Sequence, residues 1–141
     1  PPSQTMSFQL HPRLEKGSHP LCLVSGCHIR LKDNASFPWL LIIPEVEEGL
    51  EDLHQLSPER YAEIAFVIRV VSNFVDDHFK PDKLNVACIG NIVRQMHIHI
   101  VGRSGSDPAW PAPVWGFEGK TEYSLDQIEE TRTAAHRALG T

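Results

Sequence analysis

The chain has 141 residues, 41% of them hydrophobic and 22% charged, and 13 Lys+Arg against 18 Asp+Glu leave a formal charge of −5. That size and balance describe one globular domain, residues 1–141, and exclude disordered and fibrous classes. Mild acidity argues against a nucleic-acid binder, and no apolar run approaches the roughly 20 residues of a membrane-spanning helix.

Pro1–Met6 has no basic stretch followed by an apolar run, so no signal peptide is expected, and the missing Met at position 1 points to a trimmed or tagged start. Leu21–Val24 and His28–Leu31 read as two extended runs meeting at Ser25-Gly26, which is a hairpin pattern. Lys32–Ser36 carries turn chemistry. Pro38 then introduces Trp39–Ile43, whose unbroken apolar character fits a strand covered on both faces. Glu45–Asp52 reads as a solvated acidic loop. Ser57 and Pro58 suit the N-cap and first position of a long helix. Its apolar stripe is Ile64, Ile68, Val71 and Val75, flanked by Val67 and Phe74, and Pro81 sets its end near Phe79.

Lys83–Ile89 reads as a strand, Gly90-Asn91 as a turn, and Gln95–Val101 as an alternating strand, together a tightly connected antiparallel pair. Residues 104–123 form a Trp- and Pro-rich loop, and the capping-box form of Ser124–Gln127 opens a C-terminal helix over 124–139. Strands with an inserted helix and a terminal helix predict an α+β fold: an antiparallel sheet of about five strands with the 57–79 helix packed across it. Cys22, Cys27 and Cys88 are too few and too odd in number for a disulfide framework, which points to a reduced, cytoplasmic protein; Cys88, inside an apolar run, reads as a buried small hydrophobe.

Eight histidines stand out against the acidic background, since eight protons would carry −5 to +3. Two of them share a strand face. Gln95, His97 and His99 alternate with Met96, Ile98 and Ile100, so one face is polar and the other apolar, with residues two apart separated by about 6.6–6.8 Å. An imidazole of pKa about 6.5 serves as nucleophile, acid or base near neutrality. Half-exposed histidines without a task are the plain alternative. A His-x-His metal site is another; it needs a further ligand, and the next acidic residue is Asp107. Cys22, Cys27, His28 and His19 superficially resemble a zinc cluster, but at atypical spacing. His11, His54, His78 and His136 read as surface groups, and Trp110 and Trp115 as anchors of their loop or as covers for a base or a dimer interface.

The run Gly90 to Val101 resembles the signature of the histidine triad (HIT) family, in which histidines alternate with apolar residues after a polar turn. The order of elements over residues 20–103 is similar too, and Asp107–Gly116 resembles a Trp-Pro-rich tail of a bacterial branch related to dinucleoside polyphosphate hydrolases. The resemblance implies a homodimeric nucleotide hydrolase or nucleotidyl transferase that needs no cofactor. Its substrate would be a nucleoside phosphate or dinucleoside polyphosphate, attacked at the α-phosphate. His97 would form the nucleotidyl-histidine, His99 would contact phosphate oxygens or the leaving group, and Gln95 would complete the catalytic set. Asn34 would hold the ribose hydroxyls, with Asn85 and Asn91 near the phosphates. Three positions depart from the pattern: Gln95 replaces the first histidine, Trp39 stands where many members place a fourth, and Ile92 replaces a hydroxyl residue. An amide cannot shuttle protons at neutral pH. A nucleotide-binding protein with little catalysis is therefore the alternative function, with metal binding by the His-x-His pair a further one.

Overall fold

A computed structural model describes residues 8–140, so the expectations on Pro1–Met6 lie outside the described residues. Five strands, β1 (Ser18–Val24), β2 (Cys27–Lys32), β3 (Trp39–Pro44), β4 (Lys83–Ala87) and β5 (Ile98–Arg103), form one sheet in the order β1-β2-β3-β5-β4. Every neighbouring pair is antiparallel. The helices are α1 (Pro12–Lys16), α2 (Pro58–Phe79) and α3 (Leu125–Leu139). This is the α+β fold expected from the sequence.

Local chemistry explains the element boundaries. The β1–β2 hairpin turns through Ser25 and Gly26 at φ 48° and 70°, the paired left-handed geometry that matches strand twist in a two-residue loop. Ser57 caps α2 by accepting from the Arg60 N–H, and the helix stops at Lys80, which is left-handed at φ 55° just before Pro81. In α3 the Ser124–Gln127 capping box closes in both directions.

β3, at the centre of the sheet, is buried on both faces, which is why it is apolar throughout. Ile29, Leu40, Ile42, Ile98 and Ile100 pack against Ile64, Val67, Val71 and Phe74 of α2 and Ile128 of α3. Trp39, Leu41, Ile43 and Val101 face the other way, under Leu14 of α1, Phe37 and Val114. Ile68 of the predicted stripe is only partly buried, while Val67 and Phe74 beside it are fully inside.

Four expectations need correction. β5 begins at Ile98 rather than Gln95, β4 ends at Ala87, and the connection between them is ten residues long instead of a tight turn. Side chains of that connection are pulled elsewhere: Arg94 pairs with Glu51 at 2.9 Å, and the Gln95 amide bonds to Gln9 and His11. Cys88 lies on this connection and is half-buried, not sealed in the core. The five-residue α1, capped by the His11 imidazole, is too short to show a periodic pattern in the sequence.

Ile64→Ala, at a position 1% exposed, should cost about 2–5 kcal/mol in urea unfolding, whereas Phe66→Ala on the outer side of α2 should stay within about 0.5 kcal/mol. Equal losses at both positions would contradict the described packing.

Candidate active site

The apolar side chains of Met96, Ile98 and Ile100 lock one face of the β5 segment onto α2, which forces His97 and His99 to the opposite face. Their rings meet there, with centroids 4.8 Å apart, and the residues are only 7% and 6% exposed. His97 Nδ1 lies 2.7 Å from the Gln95 carbonyl oxygen. A carbonyl only accepts, so Nδ1 carries the proton and Nε2 presents its lone pair. His99 is held in the opposite sense, because its Nδ1 lies 3.0 Å from the indole nitrogen of Trp39, which only donates. Its proton therefore sits on Nε2. Among the described residues, neither Nε2 has a hydrogen-bond partner.

Aromatic walls surround the pair. Trp115 meets His99 edge-on at 5.3 Å and Trp39 at 5.9 Å, and its buried indole nitrogen has no partner among the described residues. Lys32, at the end of β2, places its ammonium 5.3 Å from the centre of the Trp39 ring. Burial, followed by the nearby Lys120, holds the Lys32 pKa below its ordinary value. Burial is also the largest influence on both imidazoles. It lowers His97, helped by Lys32 and His11 and opposed by the bond to Gln95. It pushes His99 down to about 3, with His97 and Lys32 adding to the effect. Both rings are neutral at pH 7.

The other sequence-predicted residues are arranged differently. Gln95 reaches the pair through its backbone, while its side chain receives the His11 N–H and donates to the Gln9 carbonyl. Asn34 is buried in its turn, its oxygen accepting from the Ser36 N–H at 3.1 Å. Asn85 accepts from Arg103 at 2.9 Å, part of a buried knot in which Asp107 grips Arg103 at 2.8 Å and anchors the Trp-Pro loop. Asn91 is exposed on the 88–97 connection. None of the three asparagines bonds to either imidazole. A cleft of about 770 Å³ lies between the 8–12 segment, the acidic loop and Arg94–Met96, and neither imidazole lines it. Among the described residues, no third His, Cys, Asp or Glu joins the pair in a metal-ligand group, and Cys22 and Cys27 gather no such group either.

The HIT domain family matches residues 15–106, more than half of the chain and the whole of the paired-histidine face. The chain belongs to the HIT domain family. It is similar to a histidine triad protein from Marinobacter aquaeolei at 33% identity, with 94% of this chain and 96% of that one covered and a TM-score of 0.88. Histidine triad proteins from Sinorhizobium meliloti and Bradyrhizobium japonicum match at 29% identity each, both with TM-scores of 0.90, covering 94% and 95% of this chain and 98% and 99% of theirs. No curated protein matches the sequence. No helix among the described residues is long and apolar enough to cross a membrane.

Within this HIT domain, Lys32 and His11 join the site without any mark in the linear pattern. Lys32 ends a strand more than 60 residues before the pair, and His11, read from the sequence as a surface group, lies within electrostatic reach of His97. Trp115 packs edge-on against His99.

Keeping these imidazoles neutral has a cost in acid. Below about pH 6.5 an unfolded histidine gains a proton that the folded rings refuse, so the unfolded state binds more protons and stability falls with pH. For His99 that loss runs down to about pH 3. Urea midpoints should therefore drop between about pH 7.5 and about pH 5, and drop less in His99→Gln, whose amide oxygen still accepts from Trp39. An identical pH dependence in the variant would count against buried neutral His99.

Proposed function

We propose that this HIT domain is a nucleotide hydrolase or nucleotidyl transferase in which His97 attacks the α-phosphorus of a nucleoside phosphate or dinucleoside polyphosphate. The observation that carries the reading is the 2.7 Å contact of His97 Nδ1 with the Gln95 carbonyl, which orients a bare Nε2 beside His99. Membership of a family that generally acts on nucleotide phosphates supports it.

In the first half-reaction the Nε2 lone pair forms a bond to phosphorus, and the electron pair of the breaking bond departs with the leaving group. The ring then carries a positive charge, which the Nδ1–H shares with the Gln95 carbonyl. Water, or an acceptor hydroxyl in a transfer, attacks phosphorus next. The nitrogen–phosphorus pair returns to Nε2 and the proton of the attacking oxygen passes to solvent. Dividing one displacement into two lowers each barrier. The Nε2–H of His99 and the ammonium of Lys32 meet the charge on the phosphate oxygens, as local groups must in a protein of overall charge −5. Asn34 and Asn91 are proposed to contact ribose and phosphate, with Asn85 acting through its grip on Arg103.

His97→Ala should abolish turnover of a labelled dinucleoside polyphosphate, and an alkaline rapid quench of the wild type followed by peptide mapping should find an acid-labile label on His97. Full turnover by the variant would end this reading. A second reading, nucleotide binding with little catalysis, is favoured by one observation: the Gln95 amide is occupied by Gln9 and His11 and not turned to the site. Tight binding in calorimetry without turnover would select it.

The functional unit is proposed to be a homodimer. β4 is an edge strand carrying exposed Val86, close in sequence to exposed Ile89 and Ile92, a surface that strand pairing would cover. Light scattering should give twice the chain mass, and a monomer at micromolar concentration would remove the proposal.

A further inference from the structure

Trp39 does something that a wall residue need not do. Its indole N–H points at His99 Nδ1 from 3.0 Å, and it is itself rigid: 4% exposed, edge-on to Phe37 and Trp115, under the Lys32 ammonium, on a β3 residue paired with Val101 of β5. An indole cannot accept at that nitrogen. For His99 to gain a second proton, an N–H would have to form against the N–H of Trp39. The groups facing His99 oppose a second proton as well: His97, the residue just before β5, and Lys32 on β2, while Arg103 farther along β5 is held by Asp107. We propose that Trp39 is a positioning residue that locks His99 as a permanent Nε2–H hydrogen-bond donor and removes it as a proton donor, so that the site expels groups that are stable as anions.

The chemistry follows from the proton count. A neutral imidazole N–H donates a hydrogen bond but is too weak an acid to surrender its proton to a departing group. His11, whose Nδ1 accepts from the Arg13 N–H, lines the neighbouring cleft that neither imidazole of the pair borders. Gln95 has no proton to give. When Nε2 of His97 binds phosphorus, the pair of the breaking bond therefore stays on the leaving atom. A phosphate or a phenolate oxygen holds that pair readily, in the field of the Lys32 ammonium seated over the Trp39 ring. A phosphoramidate would have to release an amide anion, which is far too basic. The inference rests on the proposed attack by His97 and narrows its substrate class to phosphoanhydrides and esters of acidic alcohols.

Two measurements test it. Long-range nitrogen–proton NMR of the wild type should show His99 protonated at Nε2 alone, without titrating in the neutral range, while in Trp39→Phe the same ring, still buried, should titrate at a higher pH than in the wild type. For activity, the p-nitrophenyl ester of adenosine 5′-monophosphate is compared with adenosine 5′-phosphoramidate. The wild type should turn over the ester at least about a hundredfold faster, the scale of a missing general acid, and Trp39→Phe should narrow that ratio. Protonation of wild-type His99 at Nδ1, or comparable rates on the two substrates, overturns the proposal. So does a His99 titration unchanged in a folded Trp39→Phe. The NMR result stands independently of turnover: the predicted tautomer with no turnover of either substrate keeps the lock and removes the leaving-group preference together with the hydrolase reading.

Discussion

β5 is buried on both faces, and the rest of the molecule is organised by that constraint. Its apolar side chains bind the sheet to α2, so the intervening side chains must face the second layer, made by α1, the Phe37 turn and the Trp-Pro loop. Two imidazoles placed there lose water from nearly every side. Desolvation then disfavours the charged form of each ring more strongly than any neighbour does, which keeps a lone pair available at His97.

Burial alone would leave the protons free to sit on either ring nitrogen. The partners decide that point. A carbonyl that only accepts and an indole that only donates impose opposite tautomers on rings 4.8 Å apart, so one presents a lone pair and the other an N–H. The loop that supplies Trp115 is held to the sheet by the buried Arg103–Asp107 pair, where the guanidinium and several backbone N–H groups keep the Asp107 carboxyl at about 2. The site thus combines directed donors and one lysine in an acidic protein. Net charge is a poor guide to what such a site binds.

Elements whose causes are local were legible. Ser57-Pro58 and Lys80-Pro81 bound α2 because capping and proline sterics act within a few residues. Ser25-Gly26 turns the hairpin for the same reason. The alternation through residues 95–101 located the histidine pair and its apolar reverse, but overran the strand. Nothing nearby in the sequence marks that Arg94 pairs with Glu51 or that Gln95 is drawn to the 9–11 segment. The Gln95 amide is engaged by Gln9 and His11, while its backbone carbonyl meets His97 Nδ1.

The sequence by itself determined the α+β architecture, the limits of its two long helices, and the pairing of His97 with His99 on one face, because periodicity and capping are short-range effects. Only the tertiary structure decided which atoms of those histidines are free. Trp39, which fixes the His99 tautomer, and Lys32 and His11, which help burial hold the rings neutral, are distant in sequence, His11 lying 86 residues before His97. Their contacts arise from packing two layers onto one sheet, and no local pattern in the chain records which side chains such packing will bring together.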